Sequence, residues 1–457
     1  MVIDNQLSML KSRSETFSSQ NPSLTATVSL SVLDEFGGSK LLTPDRLRYV
    51  QASPLPSKPV DVAFKEAMAF PIGTKPFERE KAWSPAIILG DSTRKPSPFI
   101  RQLISLIEVK TDDIKIIFAC GTHVPADPNF VRKILGEEIC KKYEKNIRVS
   151  STQNPSSKYE WIGVTSRGTP VELNKELFDR DLLISSLNVQ PHYFAGYEGG
   201  AKALLPGCSG LKTITTNHGY VIGNPNCREL MIKGNPLRED MNEVPGILKE
   251  YMKIEHRILD FVYNQNGTLV NAAYGDPALA HQQLSENFSR RAHTIQSRSS
   301  PLVMTKADGP MGQNLYQALK ASAFATSLVP NGSQPKPAII LLATLENGIG
   351  SEAFRKEMET YGKMEPTVIL DDLKKRAKAG KVTEASQKPN RFALDDAKAD
   401  FLVVSPEAPA VVEEFLGKTR IKFYRAVDDA LKSLDPKLYE KDVAVLPYGS
   451  ATVPISS

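Results

Sequence analysis

The chain has only four cysteines, Cys120, Cys140, Cys208 and Cys227, and no CxxC pair among them. This spacing excludes a disulfide framework and a structural zinc site, and it fits reduced thiols. Long hydrophobic runs are also missing. No apolar stretch approaches the roughly 18–20 residues of a membrane span, and the opening segment MVIDNQLSMLKSRSETFSSQNPS lacks the apolar region of a signal peptide. A cytoplasmic location without membrane association is the expectation. Excess charge is small: 57 Lys+Arg against 52 Asp+Glu leave +5 over 457 residues. The basic residues are dispersed, which argues against nucleic acid as a partner. Neither GxGxxG nor Walker spacing occurs, so an ordinary dinucleotide or ATP site is not expected. Histidine is scarce, six in all, so the company each one keeps is informative.

What is present is an α/β pattern. SPAIILGDSTRKPSPFIRQLISLIEV reads as a buried strand over Ala86–Leu89, a tight loop and an amphipathic helix. DIKIIFACGTHVPADPNFVRKILG repeats the scheme, with a strand over Ile114–Cys120 and a helix from about Asp127. A third strand in RDLLISS leads into a glycine-dense loop. Short apolar runs alternating with helical patterns predict an α/β fold of two domains, each with a mainly parallel sheet flanked by helices. The expected boundaries are a first domain over 1–285 with a loose Ser-rich start, a linker at 286–300, a smaller domain over 301–440, and a tail, 441–457, that either adds a further strand to the second domain or returns to the first. In such sheets ligands bind at the carboxyl ends of the strands, and three reactive-looking loops fall there.

The first loop, GDSTRKPSP, offers Asp91, Ser92, Thr93 and Arg94 at a helix start. Its hydroxyls and amides suit an anion and its arginine a carboxylate; an N-cap beside a surface salt bridge reads equally well. The second places His123 after a buried strand, a natural position for a general base. The third, PHYFAGYEGGAKALLPG, joins His192 to Lys202 through Gly199 and Gly200, glycines that permit close approach to a phosphate or flat ring. Lys202 alone could be a covalent lysine, a phosphate partner or a solvated side chain. His218 follows sixteen residues after Lys202; with His192 it could hold a metal, since imidazole suits nickel, zinc, copper and iron. Further on, Gln317 and Lys320 in NLYQALK share a helix face at i,i+3.

Taken in order, DSTR, GTH, HYFAGYEGGAKALLPG, NHG and LYQALK resemble the nickel-dependent lactate racemase family, the nickel-pincer nucleotide racemases and epimerases of 2-hydroxy acids, by motif from Asp91 to Lys320. The resemblance implies a pyridinium 3,5-bisthiocarboxylic acid mononucleotide carrying nickel, held in the cleft between the two domains and built by separate cofactor-biosynthesis proteins. It implies Lys202 as the covalent attachment, His218 as the nickel ligand, and Asp91, Ser92, Thr93, Gly199 and Gly200 beside the cofactor. His123 and His192 match the acid/base pair, Arg94 and Lys320 the holders of the substrate carboxylate, and Gln317 a residue closing over it. The implied reaction is hydride transfer from a 2-hydroxy acid to the cofactor, giving a planar 2-keto acid, with return to the opposite face. The chain departs from the family pattern at two places, with Val124 where members carry Arg and Glu198 where many carry Ser. These changes point away from lactate and toward a 2-hydroxy acid with other polar groups. The rival readings are a Schiff-base or phosphate-binding lysine enzyme without nickel, and an inactive cofactor-binding paralogue. His256, His281 and His293 take a structural reading.

Overall fold

The computed structural model describes residues 32–440 and 442–456; the expected loose start of the chain lies outside them. Two six-stranded sheets organise the molecule. The first has the order Leu269–Gly275, Glu255–Tyr263, Leu182–Ser186, Pro85–Gly90, Lys115–Gly121, Ile147–Ser151. All of its pairings are parallel except the edge hairpin of Glu255–Tyr263 with Leu269–Gly275. The second sheet is parallel throughout, in the order Leu47–Tyr49, Val443–Leu446, Leu302–Lys306, Ala338–Leu342, Asp400–Val404, Lys422–Tyr424. This is the α/β architecture read from the apolar runs.

The runs are apolar without interruption because helices cover both faces of each sheet. Ala86 and Ile88 face one core with Ile117 and Leu183, whereas Ile87 and Leu89 face another with Ile116, Phe118 and Ile184. The second sheet divides in the same way, Ile339 and Leu341 to one side and Ile340 and Leu342 to the other. The polar loops that leave the carboxyl ends of these strands carry the reactive residues. Asp127 caps the helix Pro128–Leu135 by accepting from the amides of Asn129 and Phe130, so the turn after the second strand is fixed within a few residues of His123.

The ends of the chain depart from the expected boundaries. Leu47–Tyr49, expected within the first domain, pairs in parallel with Val443–Leu446 in the second sheet. Val32, Leu33, Phe36 and Leu42 pack under that sheet as well. Three half-buried residues are too short a strand to show a periodicity, so nothing in LRY distinguished the sheet it joins. Val443–Leu446, for which a further strand of the second domain and a return to the first were both open, is an interior strand of the second sheet; its four residues are fully buried, as an interior position requires. Beyond it, Val453–Ser456 pairs with Thr294–Ser297, inside the segment expected to be a linker. Thr452 accepts from Gln265, and Val453 joins a core of the first sheet.

A chain ending at residue 440 therefore lacks an interior strand. Each buried Val or Leu contributes about 1.5–3 kcal/mol, so this truncation is expected to abolish the cooperative thermal transition seen by circular dichroism. A truncated chain that melts like the full one would contradict the assigned strand order.

Candidate active site

Loops from the carboxyl ends of both sheets line one pocket of about 100 Å³. It gathers Asp91, Arg94, His123, His192, Gly199, Lys202, His218, Gln317 and Lys320. Ser92 and Thr93 instead line an adjoining outer cavity, and Gly200 lines neither.

Asp91 is buried, and its Oδ1 accepts from the amide and hydroxyl of Thr93 at 2.7 and 2.6 Å. Its Oδ2 lies 2.7 Å from His123 Nδ1. Burial alone would raise this carboxyl, but His123, Arg94 and Thr93 outweigh it and hold Asp91 well below the usual carboxylate range. An ionised carboxylate only accepts, so Nδ1 of His123 donates; in the neutral tautomer that this selects, the lone pair lies on Nε2. Gln317 Nε2 lies 3.2 Å from that nitrogen. Gln317 is itself fixed by the N-cap of its helix, where Asn314 accepts from the Gln317 amide.

His192 is set the other way round. Its Nδ1 accepts from the amides of Ala195 and Phe194, at 3.1 and 3.4 Å. Burial first, and then the charges of Lys202, Lys320 and Arg94 against that of Glu198, keep the ring neutral well below the ordinary histidine range. The neutral ring thus carries its proton on Nε2, 3.8 Å from Glu198 Oε1. One histidine offers a lone pair to the pocket, the other a proton.

Glu198, also buried, gathers the cations. Its Oε2 lies 3.0 Å from Lys202 Nζ and 3.7 Å from Arg94 Nε, and its Oε1 3.6 Å from Lys320 Nζ. Burial would raise Glu198, yet Arg94, Lys202, His192 and Lys320 hold it ionised, well below the usual range. Burial lowers Lys202 to about 7, with Glu198 opposing and Arg94 and Arg238 assisting. A lysine so lowered has an appreciable share of free amine at neutral pH, the form that attacks carbonyl and acyl carbon. Lys320 falls to about 8, also through burial. His218 is lowered to about 3 by burial, Lys202 and His123, so its ring is neutral and open to a metal. Its Nδ1 is buried with no hydrogen-bond partner. The helix Leu211–Gly219 that carries His218 is anchored by Asn217, which donates to Asp240 Oδ2 at 2.8 Å and to the Leu237 carbonyl at 3.1 Å. Among the described residues no three His, Cys, Asp or Glu side chains converge as a metal site.

The loop that carries His192, Glu198 and Lys202 is held by residues that sequence reading did not single out. Arg238, fully buried, donates to the carbonyls of Ala195, Tyr197 and Gly199. Asn235 donates to Phe194 O, and His281 Nε2 to Glu198 O, each at 2.8 Å. Asp260 accepts the amides of Gly200 and Leu187 at 2.6 and 2.8 Å. This packing requires glycine at both positions. At φ of +81° and +65°, a Cβ on Gly199 would come within 2.8 Å of Asp260, and one on Gly200 within 2.8 Å of the His281 ring. Lys388 was also missed. It donates to the Tyr316 carbonyl and lies over the rings of Tyr193 and Tyr316, at 4.9 and 4.4 Å from their centroids. Only three-dimensional packing reveals these residues, since no local pattern in LRED or SQKP separates them from surface helix residues. His256 and His293, read as structural, meet Ser185 Oγ at 3.0 Å and the Ser289 carbonyl at 2.8 Å.

Two predictions follow from this brace. Replacing Arg238 by Leu leaves the buried Tyr197 carbonyl without its donor, at about 1–3 kcal/mol, and takes a second donor from the carbonyls of Ala195 and Gly199, which keep the amides of Tyr197 and Lys202. R238L is therefore expected to lower the denaturation midpoint sharply, and an unchanged midpoint would contradict the brace. His192, His256, His281 and His293 are all buried with folded-state pKa below 6.5. Below pH 6.5 the unfolded chain takes up protons that the folded chain refuses, so stability falls as pH falls. From pH 7 to 5.5 the loss is on the order of 1 kcal/mol per histidine, visible as a fall in the melting temperature; a flat profile over this window would contradict the burial of neutral rings.

Residues 40–229 match the lactate racemase N-terminal domain family. A lactate racemase of Thermoanaerobacterium thermosaccharolyticum is 30% identical over 334 residues, 70% of this chain and 75% of that protein. The lactate racemase of Lactiplantibacillus plantarum is 30% identical over 274 residues, 59% of this chain and 62% of its own length. Among solved structures, the Thermoanaerobacterium lactate racemase apoprotein matches with a TM-score of 0.75 at 24% identity, over 90% of this chain and 96% of that one. A Thermotoga maritima protein matches with a TM-score of 0.62 at 15% identity, over 90% and 100%. The likeness runs through both sheets and the loops between them, and the chain belongs to the lactate racemase family.

Proposed function

We propose that this protein is a racemase or epimerase of a 2-hydroxy acid that works with a lysine-linked nickel-pincer nucleotide. The observation that carries this reading is the opposed pair of histidines, His123 with a lone pair on Nε2 and His192 with a proton on Nε2, lining one pocket with a lysine of lowered pKa. Family membership supports it, since the curated relatives are named lactate racemases.

The residues present fit the cofactor. His218 is neutral with an unpartnered buried nitrogen, and Lys202 is poised as an amine. With no cluster of protein ligands among the described residues, a metal held by His218 here would need its other donors from an organic group. When bound, that group would supply the acceptor and donor of hydride. The chain's own residues do the rest. His123 Nε2 takes the hydroxyl proton of one enantiomer, and Asp91 stabilises the imidazolium that results. On the other side His192 acts as the imidazolium, giving its Nε2 proton to the oxygen and becoming neutral, so that one inversion exchanges the charge states of the two rings. In the reverse direction the two exchange roles, which a racemase requires because the hydroxyl lies on opposite sides in its two substrates. Arg94 and Lys320 hold the carboxylate so that the planar intermediate turns without leaving, and Gln317 fixes the His123 ring.

Asn in place of either histidine is expected to lower kcat in both directions by about 10²–10⁴-fold. The measurement is chiral chromatography of 2-hydroxy acids, with protein produced alongside the cofactor-building enzymes. Loss in one direction only, or no loss, would contradict the two-histidine assignment.

A further inference from the structure

We infer that Glu198 is the charge partner of His192, the carboxylate that sustains its imidazolium while Lys202 carries the cofactor. This rests on the racemase reading of the site and deepens it. In that reading one inversion exchanges the charge states of the two rings, so His192 must hold a positive charge as His123 does. Asp91 meets the His123 charge from behind, 2.7 Å from Nδ1. No carboxylate stands in that place for His192, because the amides of Phe194 and Ala195 occupy its Nδ1. The carboxylate lies instead at the reacting edge, with Glu198 Oε1 3.8 Å from Nε2. That separation is too long for a hydrogen bond but close for two charges, so Nε2 stays free to meet a substrate oxygen.

The two oxygens of Glu198 divide the cations around it. Oε2 faces Lys202 and Arg94, and Oε1 faces His192 and Lys320. Arg238, beneath the loop, also interacts with Glu198. Oε1 is buried without a hydrogen-bond partner, so its charge is directed at the ring and at Lys320. Linked to the cofactor through an amide, the Lys202 nitrogen carries no charge. Glu198 then loses its nearest cation, the one at 3.0 Å, and the His192 ring loses a repelling neighbour. Burial, then Lys202, Lys320 and Arg94 disfavour the charged ring, and Glu198 favours it. Attachment at Lys202 thus turns a carboxylate that lets a lysine be buried into one that serves a histidine.

The test reads His192 directly, without cofactor. Lys202→Gln removes the lysine charge as the amide linkage does. In this variant, NMR titration of histidine labelled at Cε1, with the His192 signal assigned by its loss in His192→Asn, is expected to give a midpoint above about pH 5. Adding Glu198→Gln is expected to lower that midpoint by about one pH unit or more, and Glu198→Asp, which keeps the charge, to restore most of it. A ring that stays neutral down to about pH 5 in Lys202→Gln, or a midpoint that Glu198→Gln leaves in place, would overturn the pairing. Glu198→Ser decides the same question if the glutamine variant shows no folded-state melting transition. In cofactor-loaded protein, Glu198→Gln is expected to lower kcat in both directions by about tenfold or more. Loaded wild-type protein that inverts no 2-hydroxy acid, with the His192 shifts as expected, overturns the racemase reading and leaves the pairing standing. Inversion by loaded Glu198→Gln at the wild-type rate, with an unmoved His192 midpoint, overturns the pairing alone.

Discussion

Everything at the pocket depends on one buried guanidinium. Arg238 donates to the carbonyls of Ala195, Tyr197 and Gly199, and with Asn235 and His281 it supplies donors that the loop's own amides do not provide for Tyr197, Phe194 and Glu198. A loop of this kind cannot borrow hydrogen bonds from a sheet. Once its backbone is satisfied, three side chains on it, His192, Glu198 and Lys202, acquire fixed positions. Burial lowers Arg238 itself to about 10, with Glu198 and Asp260 opposing, so it remains charged across the physiological range. The brace and the site are thus one electrostatic unit.

Glu198 is the counterpart of that arrangement. Four cationic or potentially cationic groups within 4 Å of one carboxylate would repel one another without it. With it, Lys202 can be buried at all. The same carboxylate restricts what enters, because a ligand meets a pocket already half neutralised. The charge balance of the pocket therefore converges on a single residue.

The fold was legible because parallel strands buried on both faces are continuous apolar runs; SPAIILG and KIIFACG showed themselves and the loops that follow. The residues gathered in the pocket were legible too, because strands of a parallel sheet end on one side and Asp91, His123 and His192 each follow such an end. What stayed hidden depends on contacts between distant segments. Arg238 looks like any arginine near a helix start, and its role exists only because the loop folds against it. Leu47–Tyr49 carries no period that would tell one sheet from the other. For the glycines, the need for positive φ was visible, but the groups that crowd them, Asp260 and His281, were not.

The proposed nickel-bearing nucleotide on Lys202 is open to direct measurement. Intact mass and peptide mapping, with nickel analysis, test it most directly on protein produced with the cofactor-building enzymes. The account predicts the added mass of a pyridinium nucleotide on the peptide containing Lys202 and nickel in amount comparable to protein. An unmodified Lys202 without nickel, in a host that loads a known lactate racemase, would contradict it.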